Sequence, residues 1–557
     1  MTEVSLLEKT SSIRGTVSKT ACLNTVILAS GILSIILAHF IIHPLLIPAD
    51  ASLNLEYGKL IGSGQSPYLD FFDYTSPVPM YLCLIPNYIS IYLKVHPITA
   101  FNLCAWLLLT LSTALSAQIL FRTSSRESSV APYFLIGYLL LNLLFIDQFG
   151  ETQQLFFAFT LPYFLARVLN LANPSGSIDI RILGLSGSMA AIGFLLDPLY
   201  LLLMIFFEAF ICIERGRFDS LSRPEFTVCF SILVICGFVL IIGNEPMGVA
   251  FSHFALPMML LDYDTWNNEL VYLGMTPDRR DLLYLSIAGC VAALAFHRFS
   301  KLILPMVIVS CLGFGLYIIQ YNMFTAQALP MVFGAGLAVS LVVGILVNWF
   351  VAHFKLKTKH KKLLPGTIVF AVVGLAAFSA WLAVELAGVS HGNRYSLAEQ
   401  GYIGSSPRAD LSIFADYIEA NSKPGDQVLV INDQARPAYP ALLQLGRRPG
   451  SGFLTTRLLK VARKLRYSKP LEIWQPYVVA EDQLYDRLKN DIRTKRPVLV
   501  LVNQDSMGPA LEEKLVSKEL LDHYEPVGFL DWRDDNVDHP PYEYVGYRTA
   551  FHAFKLK

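Results

Sequence analysis

The sequence predicts a polytopic α-helical membrane protein with a soluble α/β domain at its C-terminus. Of the 557 residues, 54% are hydrophobic and 16% are charged, and the mean hydropathy is +0.47. The charges form short clusters between long apolar runs, which is typical of a chain that crosses a bilayer several times. A chain of this kind has membrane lipids as partners, and because the formal net charge is zero, we expect no attraction to nucleic acid.

The apolar segments predict about eleven transmembrane helices within residues 21–390. The first, Ala21–Ile47, is too long for a signal-peptide core, so we interpret it as an uncleaved span that follows a polar cytoplasmic N-terminus, 1–20. The further runs of spanning or near-spanning length are 98–121, 130–147, 153–171, 181–197, 199–213, 225–243, 281–297, 302–321, 326–350 and 364–388.

Residues 79–95 interrupt this series, and we interpret them as a helix in the membrane interface. Prolines break the apolar run and tyrosines recur along it. If this segment does not cross, the inside loops carry most of the Lys and Arg, including Arg167 and the run Lys355–Lys362. The outside loops before residue 390 then carry only Lys59, Lys94, Arg279 and Arg280. The positive-inside rule therefore places the first outside loop at 48–97 and the C-terminus outside.

Residues 391–557 have the periodicity of a soluble α/β domain, which this topology places outside the cytoplasm. The predicted elements are the helices Ala409–Asn421, Glu481–Thr494 and Ala510–His523, and the strands Gln427–Asn432, Val498–Val502 and Tyr544–Phe554. Helices that alternate with apolar strands indicate a small, mainly parallel sheet. The domain contains no glycine-rich dinucleotide motif and no phosphate-loop lysine motif.

The first outside loop contains the densest group of acidic and aromatic residues in the chain. Its spacing resembles that of the GT-C glycosyltransferases that use polyprenyl-phosphate sugars, such as glycosyltransferase family 39, the protein mannosyltransferases and the aminoarabinose transferases. The matching positions are Asp50, Gly64, Pro67, Tyr68, Asp70, Asp73 and Pro77. Weaker matches follow at 149–154, 161–163 and 433–452, so the resemblance covers most of the chain but is dense only in this loop.

The resemblance implies a GT-C-like fold and a membrane glycosyltransferase of the inverting type. Such an enzyme moves a hexosyl or pentosyl group from a polyprenyl phosphate to a hydroxyl of a glycan, lipid or protein acceptor on the non-cytoplasmic face. It also implies that Asp50 is the catalytic base or orients the acceptor, and sugar transfer to a hydroxyl does need a base near that hydroxyl. The sequence leaves one alternative open, in which Asp50 caps a helix that begins at Ala51.

Other residues of the loop are candidates for substrate binding. Asp70 and Asp73 flank two aromatic residues and are expected to hold sugar hydroxyls or a divalent metal, or else to form a solvated turn. Relatives often have a lysine just before the proline pair, where this chain has 74–76 without a cation, so the phosphate contact is left open. The further substrate-binding candidates are Glu56, Lys59 and Tyr68.

Two later acidic positions join this set through the predicted topology. Asp147 and Glu151 lie at the outside ends of two spans, on the side of Asp50, and we expect them to hold Mg or Mn or an acceptor; Glu151 is also a substrate-binding candidate. The resemblance often places an acid at Gln153, which this chain lacks. Asp197 precedes a proline between two apolar runs, where a carboxylate is costly unless it is paired or hydrated. Either a short outside turn hydrates it or it binds substrate, and we include it among the substrate-binding candidates.

Two other functions stay open at this level. A transporter or lipid flippase would place charged residues at mid-depth on several spans, together with broken helices. A non-catalytic membrane anchor would display the tail as a binding domain and would not depend on Asp50. Because most acids cluster at one face, the sequence favours an enzyme, and we expect it in a bacterial inner or plasma membrane.

Overall fold

The computed structural model is mainly helical and ends in a small α/β domain. The first part of the chain forms one helical bundle with a shared hydrophobic core. The structure describes residues 3–122, 125–172, 178–216, 218–239, 245–259, 277–320, 325–353, 412–459, 471–503, 520–532 and 549–557.

The helices of the bundle and of its first loop follow the chain in simple order. They are α1 Glu3–Ile42, α2 Ala49–Gly62, α3 Pro77–Leu82, α4 Leu84–Leu93, α5 Pro97–Phe121, α6 Ser125–Leu144, α7 Thr152–Ala172, α8 Ile180–Leu195, α9 Pro198–Arg215, α10 Pro224–Phe238, α11 Glu245–Ala250, α12 Pro277–Leu294, α13 Ile303–Gln320 and α14 Thr325–His353. The chain is thus a multi-pass membrane protein, as the apolar runs predicted.

Five described helical segments are long and apolar enough to cross a membrane. They are Cys22–Ile42, Pro97–Phe121, Glu127–Leu144, Ile303–Gln320 and Gln327–Trp349. The predicted spans between and beside them fall on α7, α8, α9, α10 and α12, which are shorter or less apolar. The last predicted span, 364–388, lies outside the described residues, so the count of eleven stays a prediction.

The predicted interfacial segment 79–95 forms the two short helices α3 and α4, which meet at Cys83. Asn87 lies on the buried side of α4 and donates hydrogen bonds to the carbonyl oxygens of Leu55 and Cys83, which ties α4 to α2. The opposite side exposes large apolar residues, among them Tyr88 and Tyr92. One apolar exposed side on a short helix suits the membrane interface better than a span.

A buried ion-pair cluster joins α7, α9 and α10 inside the bundle. Arg167 is fully buried, pairs with Glu208, and lies 3.2 Å from Glu225. Tyr163 donates a hydrogen bond of 2.6 Å to Glu208, and Asn170 donates one of 3.2 Å to Glu225. The assignment of Arg167 to an inside loop is therefore wrong. Two carboxylates and these hydrogen bonds compensate the cost of removing Arg167 from water. A hydropathy scale does not include such partners, so it does not predict a buried arginine.

The C-terminal domain contains one five-stranded mixed sheet in the order β2-β1-β3-β5-β4. Its elements are α15 Ser412–Asn421, β1 Gln427–Ile431, α16 Ala438–Gln444, β2 Arg448–Pro449, α17 Leu471–Lys495, β3 Leu499–Asn503, α18 Leu521–His523, β4 Tyr524–Trp532 and β5 Thr549–Leu556. Strand β1 pairs in parallel with β2 and β3, whereas β5 pairs antiparallel with β3 and β4. The prediction of a mainly parallel sheet is wrong for this second half, because it missed β4.

Both faces of this sheet are covered. Val428 and Val430 pack with α15 on one face, whereas Leu429 and Ile431 pack with α17 on the other. This alternation follows from the two-residue period of a strand. Of the predicted helix Ala510–His523, only the last turn is described, as α18.

The first loop packs directly against the C-terminal domain. Phe71 stacks on Tyr57 of α2 at a ring distance of 5.1 Å, while the next residue, Phe72, stacks on Phe453 at 4.9 Å. The backbone N–H of Phe72 donates to the carbonyl oxygen of Gly452 at 2.9 Å. A Cβ at Gly452 would lie only 2.6 Å from the carbonyl oxygen of Asp70, so this close approach needs glycine. The loop and the domain therefore lie on one side of the bundle.

Candidate active site

Helix α2 carries Asp50 into the space between the bundle and the C-terminal domain. The helix begins at Ala49. The N-cap residue is Pro48, whose side chain makes no capping hydrogen bond. Asp50 lies in the first turn, where a carboxylate is favoured by the helix dipole. The alternative in which Asp50 caps a helix starting at Ala51 is therefore wrong. Its side chain is available for other chemistry.

Glu151 reaches the same helix terminus from the loop before α7. The chain turns at Gly150, which has φ +92°, and the buried carboxyl of Glu151 then accepts the backbone N–H of Asp50. Burial raises the pKa of Glu151 well above its ordinary value, and the neighbouring charges of Asp50 and Asp147 raise it further. The protonated form of Glu151 is thus favoured, and this carboxyl stabilises the start of α2.

Asp73 forms a second side of the site. Its carboxylate accepts hydrogen bonds from the backbone N–H of Tyr74 at 2.7 Å and from the hydroxyl of Thr75 at 3.1 Å. Burial raises the pKa of Asp73, and the nearby hydroxyl of Tyr57 and these hydrogen bonds partly offset the effect. Tyr57 lies seven residues after Asp50, so both project from the same side of α2.

The carboxyl of Asp50 is accessible to solvent, although protein groups lie close around it. Its side chain is exposed to solvent, yet the surrounding protein raises its pKa by desolvation. The positive charge of Arg457 opposes this rise, and the negative charge of Asp73 adds to it. Asp50 is thus accessible to solvent and close to charged groups of the protein, and we call this region at the start of α2 the cleft. A small molecule can reach the carboxyl, and the raised pKa makes it a better proton acceptor than an ordinary Asp.

Arg457 is the residue of this site that sequence reasoning missed. Its guanidinium lies 5.3 Å from the ring centroid of Tyr74, and its charge acts on Asp50 and Asp73. Arg457 lies in the C-terminal domain, hundreds of residues after the first loop, so no spacing in the sequence joins it to Asp50. The scarcity of outside cations was the only sequence signal that could have directed the search there.

Two predicted binding residues form a pair on another side of α2. The side chain of Glu56 is buried, and Lys59 lies 3.2 Å from it. Burial raises the pKa of Glu56, which Lys59 partly offsets. The charge of Glu56 acts on Tyr439 of the C-terminal domain. The structure therefore places Glu56 and Lys59 beside the domain contact and does not bring them to Asp50.

Two further loop residues shape the chain around the site. Tyr68 is buried with φ +64°, and its hydroxyl donates a hydrogen bond of 2.7 Å to the carbonyl oxygen of Thr75. Asp70 is exposed and accepts the backbone N–H of Ser66 at 2.7 Å. The hydroxyl of Tyr68 thus holds the segment that contains Asp73. Asp70 closes the turn that precedes this segment.

The two remaining acids have different partners. Asp147 is close enough to Glu151 to act on it electrostatically, and it accepts a 2.8 Å hydrogen bond from Gln148. Asp197 caps α9 by accepting the backbone N–H of Leu199 at 2.9 Å. The side-chain amide of Gln320 donates a further hydrogen bond of 3.1 Å to Asp197. Asp147 therefore belongs to the acidic cluster around Asp50, whereas Asp197 caps a helix, and its substrate-binding role stays a prediction.

The donor set gives little support to a metal at this site. Among the described residues, no group of three or more His, Cys, Asp or Glu side chains is arranged to hold a metal ion. Glu151 already accepts a backbone N–H, and its favoured protonated form is a poor metal ligand. The expected Mg or Mn site of Asp147 and Glu151 stays a prediction, and no chemical step is derived through it.

The helical bundle, its first loop and the α/β domain together form a membrane protein with a GT-C-like fold. A solved structure with the same architecture is ArnT from Cupriavidus metallidurans bound to undecaprenyl phosphate, with a TM-score of 0.50 and 11% sequence identity. The alignment covers 95% of this chain and 97% of that chain. No family model matches the sequence, and the search of curated proteins gives no match. The fold predicted from the loop spacing is confirmed by this likeness.

Proposed function

We propose that this protein is a membrane glycosyltransferase that moves a sugar from a polyprenyl phosphate to an acceptor hydroxyl. The observation that carries the proposal is the cleft at the start of α2, where the accessible Asp50 lies beside Glu151, Asp73 and Arg457. The fold is shared with a protein whose structure contains undecaprenyl phosphate, which supports a lipid-linked donor.

In this mechanism Asp50 takes the proton of the acceptor hydroxyl as the oxygen attacks the anomeric carbon of the sugar. The bond between that carbon and the phosphate oxygen breaks in the same displacement, and polyprenyl phosphate leaves with the electron pair. One displacement inverts the configuration of the anomeric carbon. Desolvation raises the proton affinity of Asp50, and a positioned general base contributes typically ~10²–10⁴ in rate.

The position of the cleft suits a donor in the membrane and an acceptor in water. Asp50 follows α1 closely in the chain, and the C-terminal domain covers the loop from the other side. We place this face outside the cytoplasm, where nucleotide sugars are not made and a lipid carrier is needed. The acceptor is a glycan, lipid or protein hydroxyl that enters between α2 and the domain.

The charged residues within the bundle favour an enzyme over a transporter. Arg167 lies 15 residues after the start of α7, which is about 22 Å from the Asp50 end of that helix. Its charge is paired with Glu208 and Glu225 in a buried cluster. A transport path needs charged groups that open to water at mid-depth, whereas this cluster is buried and its charged groups are hydrogen-bonded to one another.

The test is sugar transfer from a polyprenyl-phosphate donor in proteoliposomes, with Asp50→Asn compared to Asp70→Asn. Asparagine keeps the shape of the side chain but accepts no proton, so we expect Asp50→Asn to lose ~10²–10⁴ in rate. Asp70→Asn is the matched control, because its exposed carboxylate only receives a backbone N–H. Near-parental transfer by a folded Asp50→Asn protein would refute Asp50 as the base, and the absence of transfer in the parent would refute the proposed function.

A further inference from the structure

Arg457 is fixed in place by the carboxyl end of a strand in the C-terminal domain. The backbone N–H of the preceding residue, Thr456, donates a 2.7 Å hydrogen bond to the carbonyl oxygen of Asn432, directly after β1. Leu458 and Leu459 follow Arg457 and are buried in the cluster that also contains Tyr74. Because its neighbours are held on both sides, the backbone of Arg457 is positioned by the domain and not by the bundle.

The side chain of Arg457 crosses to the first loop and faces its acids. The guanidinium lies 5.3 Å from the ring centroid of Tyr74, at a distance typical of a cation–π contact. Tyr74 directly follows Asp73, whose charge the guanidinium partly offsets, and the same is true of Asp50. One cation of the C-terminal domain is thus shared by two carboxylates of the membrane part.

Other described cations around this loop have different contacts. Lys59 lies 3.2 Å from Glu56 on another side of α2. Arg487 lies 4.5 Å from the ring centroid of Phe72 and donates to the carbonyl oxygen of Leu69, so it holds the back of the loop. Of these three cations, Arg457 is the one whose charge acts on Asp50.

A phosphate near Asp50 needs such a cation. The donor phosphate is an anion, and the breaking of its bond to the sugar adds negative charge to the leaving oxygen. The carboxylates of Asp50 and Asp73 repel this charge. A guanidinium can stack one face on Tyr74 and still present its N–H edge to two phosphate oxygens, which a lysine ammonium cannot do in the same planar geometry.

We propose that Arg457 binds the phosphate of the lipid donor, so that the C-terminal domain completes the active site of the membrane part. This inference rests on the proposed function and adds that two parts of the chain supply different groups to the active site. The membrane part supplies the base at Asp50, and the C-terminal domain supplies the phosphate ligand. Docking of the domain onto the first loop, through Gly452 and Phe453, is then a condition for donor binding.

The experiment measures binding of polyprenyl monophosphate, without a sugar, to the full-length protein in lipid nanodiscs. The variants are Arg457→Met, Arg457→Lys, Asp50→Asn and, as a matched control from the same domain, Arg487→Met. A charge-assisted hydrogen bond contributes ~1.5–3 kcal/mol, so Arg457→Met should weaken binding by about 10- to 150-fold. Arg457→Lys should lose less, and Arg487→Met should keep the parental affinity within about threefold. Asp50→Asn removes a carboxylate that repels the phosphate, so it should bind no more weakly than the parent.

The outcomes separate this inference from the proposed function. If the parent binds no polyprenyl monophosphate, the proposed function itself fails. If the parent binds it and both Arg457 variants bind equally well, the phosphate role of Arg457 is refuted and the proposed function stands. Equal losses in Arg457→Met and Arg487→Met would mean that Arg457 only docks the domain, which also overturns the inference. Melting temperatures identify misfolded Arg457→Met, in which case Arg457→Lys decides through its donor KM.

Discussion

Glu151 gives the sharpest test of the site, because two substitutions separate its possible tasks. Its buried carboxyl accepts the backbone N–H of Asp50, and burial raises its pKa well above the ordinary range. A protonated carboxyl offers an O–H donor and a carbonyl acceptor, and the amide of glutamine offers N–H donors and a carbonyl acceptor in nearly the same shape. We therefore expect Glu151→Gln to transfer sugar at a near-parental rate and Glu151→Ala to be impaired.

The magnitudes follow from the contacts that each variant removes. Glu151→Ala deletes the acceptor at the start of α2, which costs about 0.5–2 kcal/mol, and it removes one buried methylene worth about 0.8 kcal/mol. The total loss of folding free energy is thus about 1–3 kcal/mol. Because the acceptor also orients the turn that carries Asp50, a shift of about 1 Å there would cost up to about 10²-fold in rate.

The pH dependence of the folding free energy tests the protonation of Glu151 independently of the transfer rate. The folded pKa of Glu151 is raised, and the unfolded value is about 4.3. Below the unfolded value both states hold the proton, and the stabilisation is complete. As the pH rises through the window up to the folded pKa, the unfolded chain ionises first and the parent loses stability. Glutamine does not titrate, so the melting temperature of Glu151→Gln should rise relative to the parent as the pH increases above about 4.3.

The assay combines transfer from a polyprenyl-phosphate donor with thermal unfolding in detergent between pH 4 and pH 8. Loss of transfer in Glu151→Gln equal to that in Glu151→Ala would refute the protonated-acceptor role. If transfer by the parent is then also lost in EDTA and restored by Mg or Mn, the anionic form of Glu151 holds a metal together with Asp147.

Three further predictions follow from the other contacts. Asp73→Asn should move the acid limb of the transfer rate to lower pH, because the charge of Asp73 raises the pKa of Asp50; an unmoved limb would remove Asp50 as the titrating base. Arg167→Met leaves two buried carboxylates without their cation and should cost about 3–5 kcal/mol of folding free energy; a melting temperature equal to that of the parent would contradict this. Alkaline phosphatase fused after Lys557 should be active, and activity from a cytoplasmic reporter alone would place the C-terminus inside.

The positions of the helices could be predicted from the sequence because a bilayer selects local properties. A span needs a long apolar run, and each of the first ten predicted runs falls on a helix of the structure. The same reasoning identified 79–95 as a helical segment, which the structure divides into two short helices with one exposed apolar side. The strand β4 was missed, since its residues Tyr524–Trp532 contain polar and glycine positions that weaken the alternation of a strand.

The sequence alone thus determined the membrane class, the helix positions and the acidic first loop, whose residues lie close together in the chain. Only the tertiary structure decided which distant groups act on Asp50. It brings Glu151 to the backbone N–H of Asp50 and brings Arg457 from the C-terminal domain to the opposite side. It also buries Arg167 in the bundle, between Glu208 and Glu225. Charges far apart in the chain have no spacing that reveals a partner, so packing alone sets their distances and, through desolvation, their proton affinities.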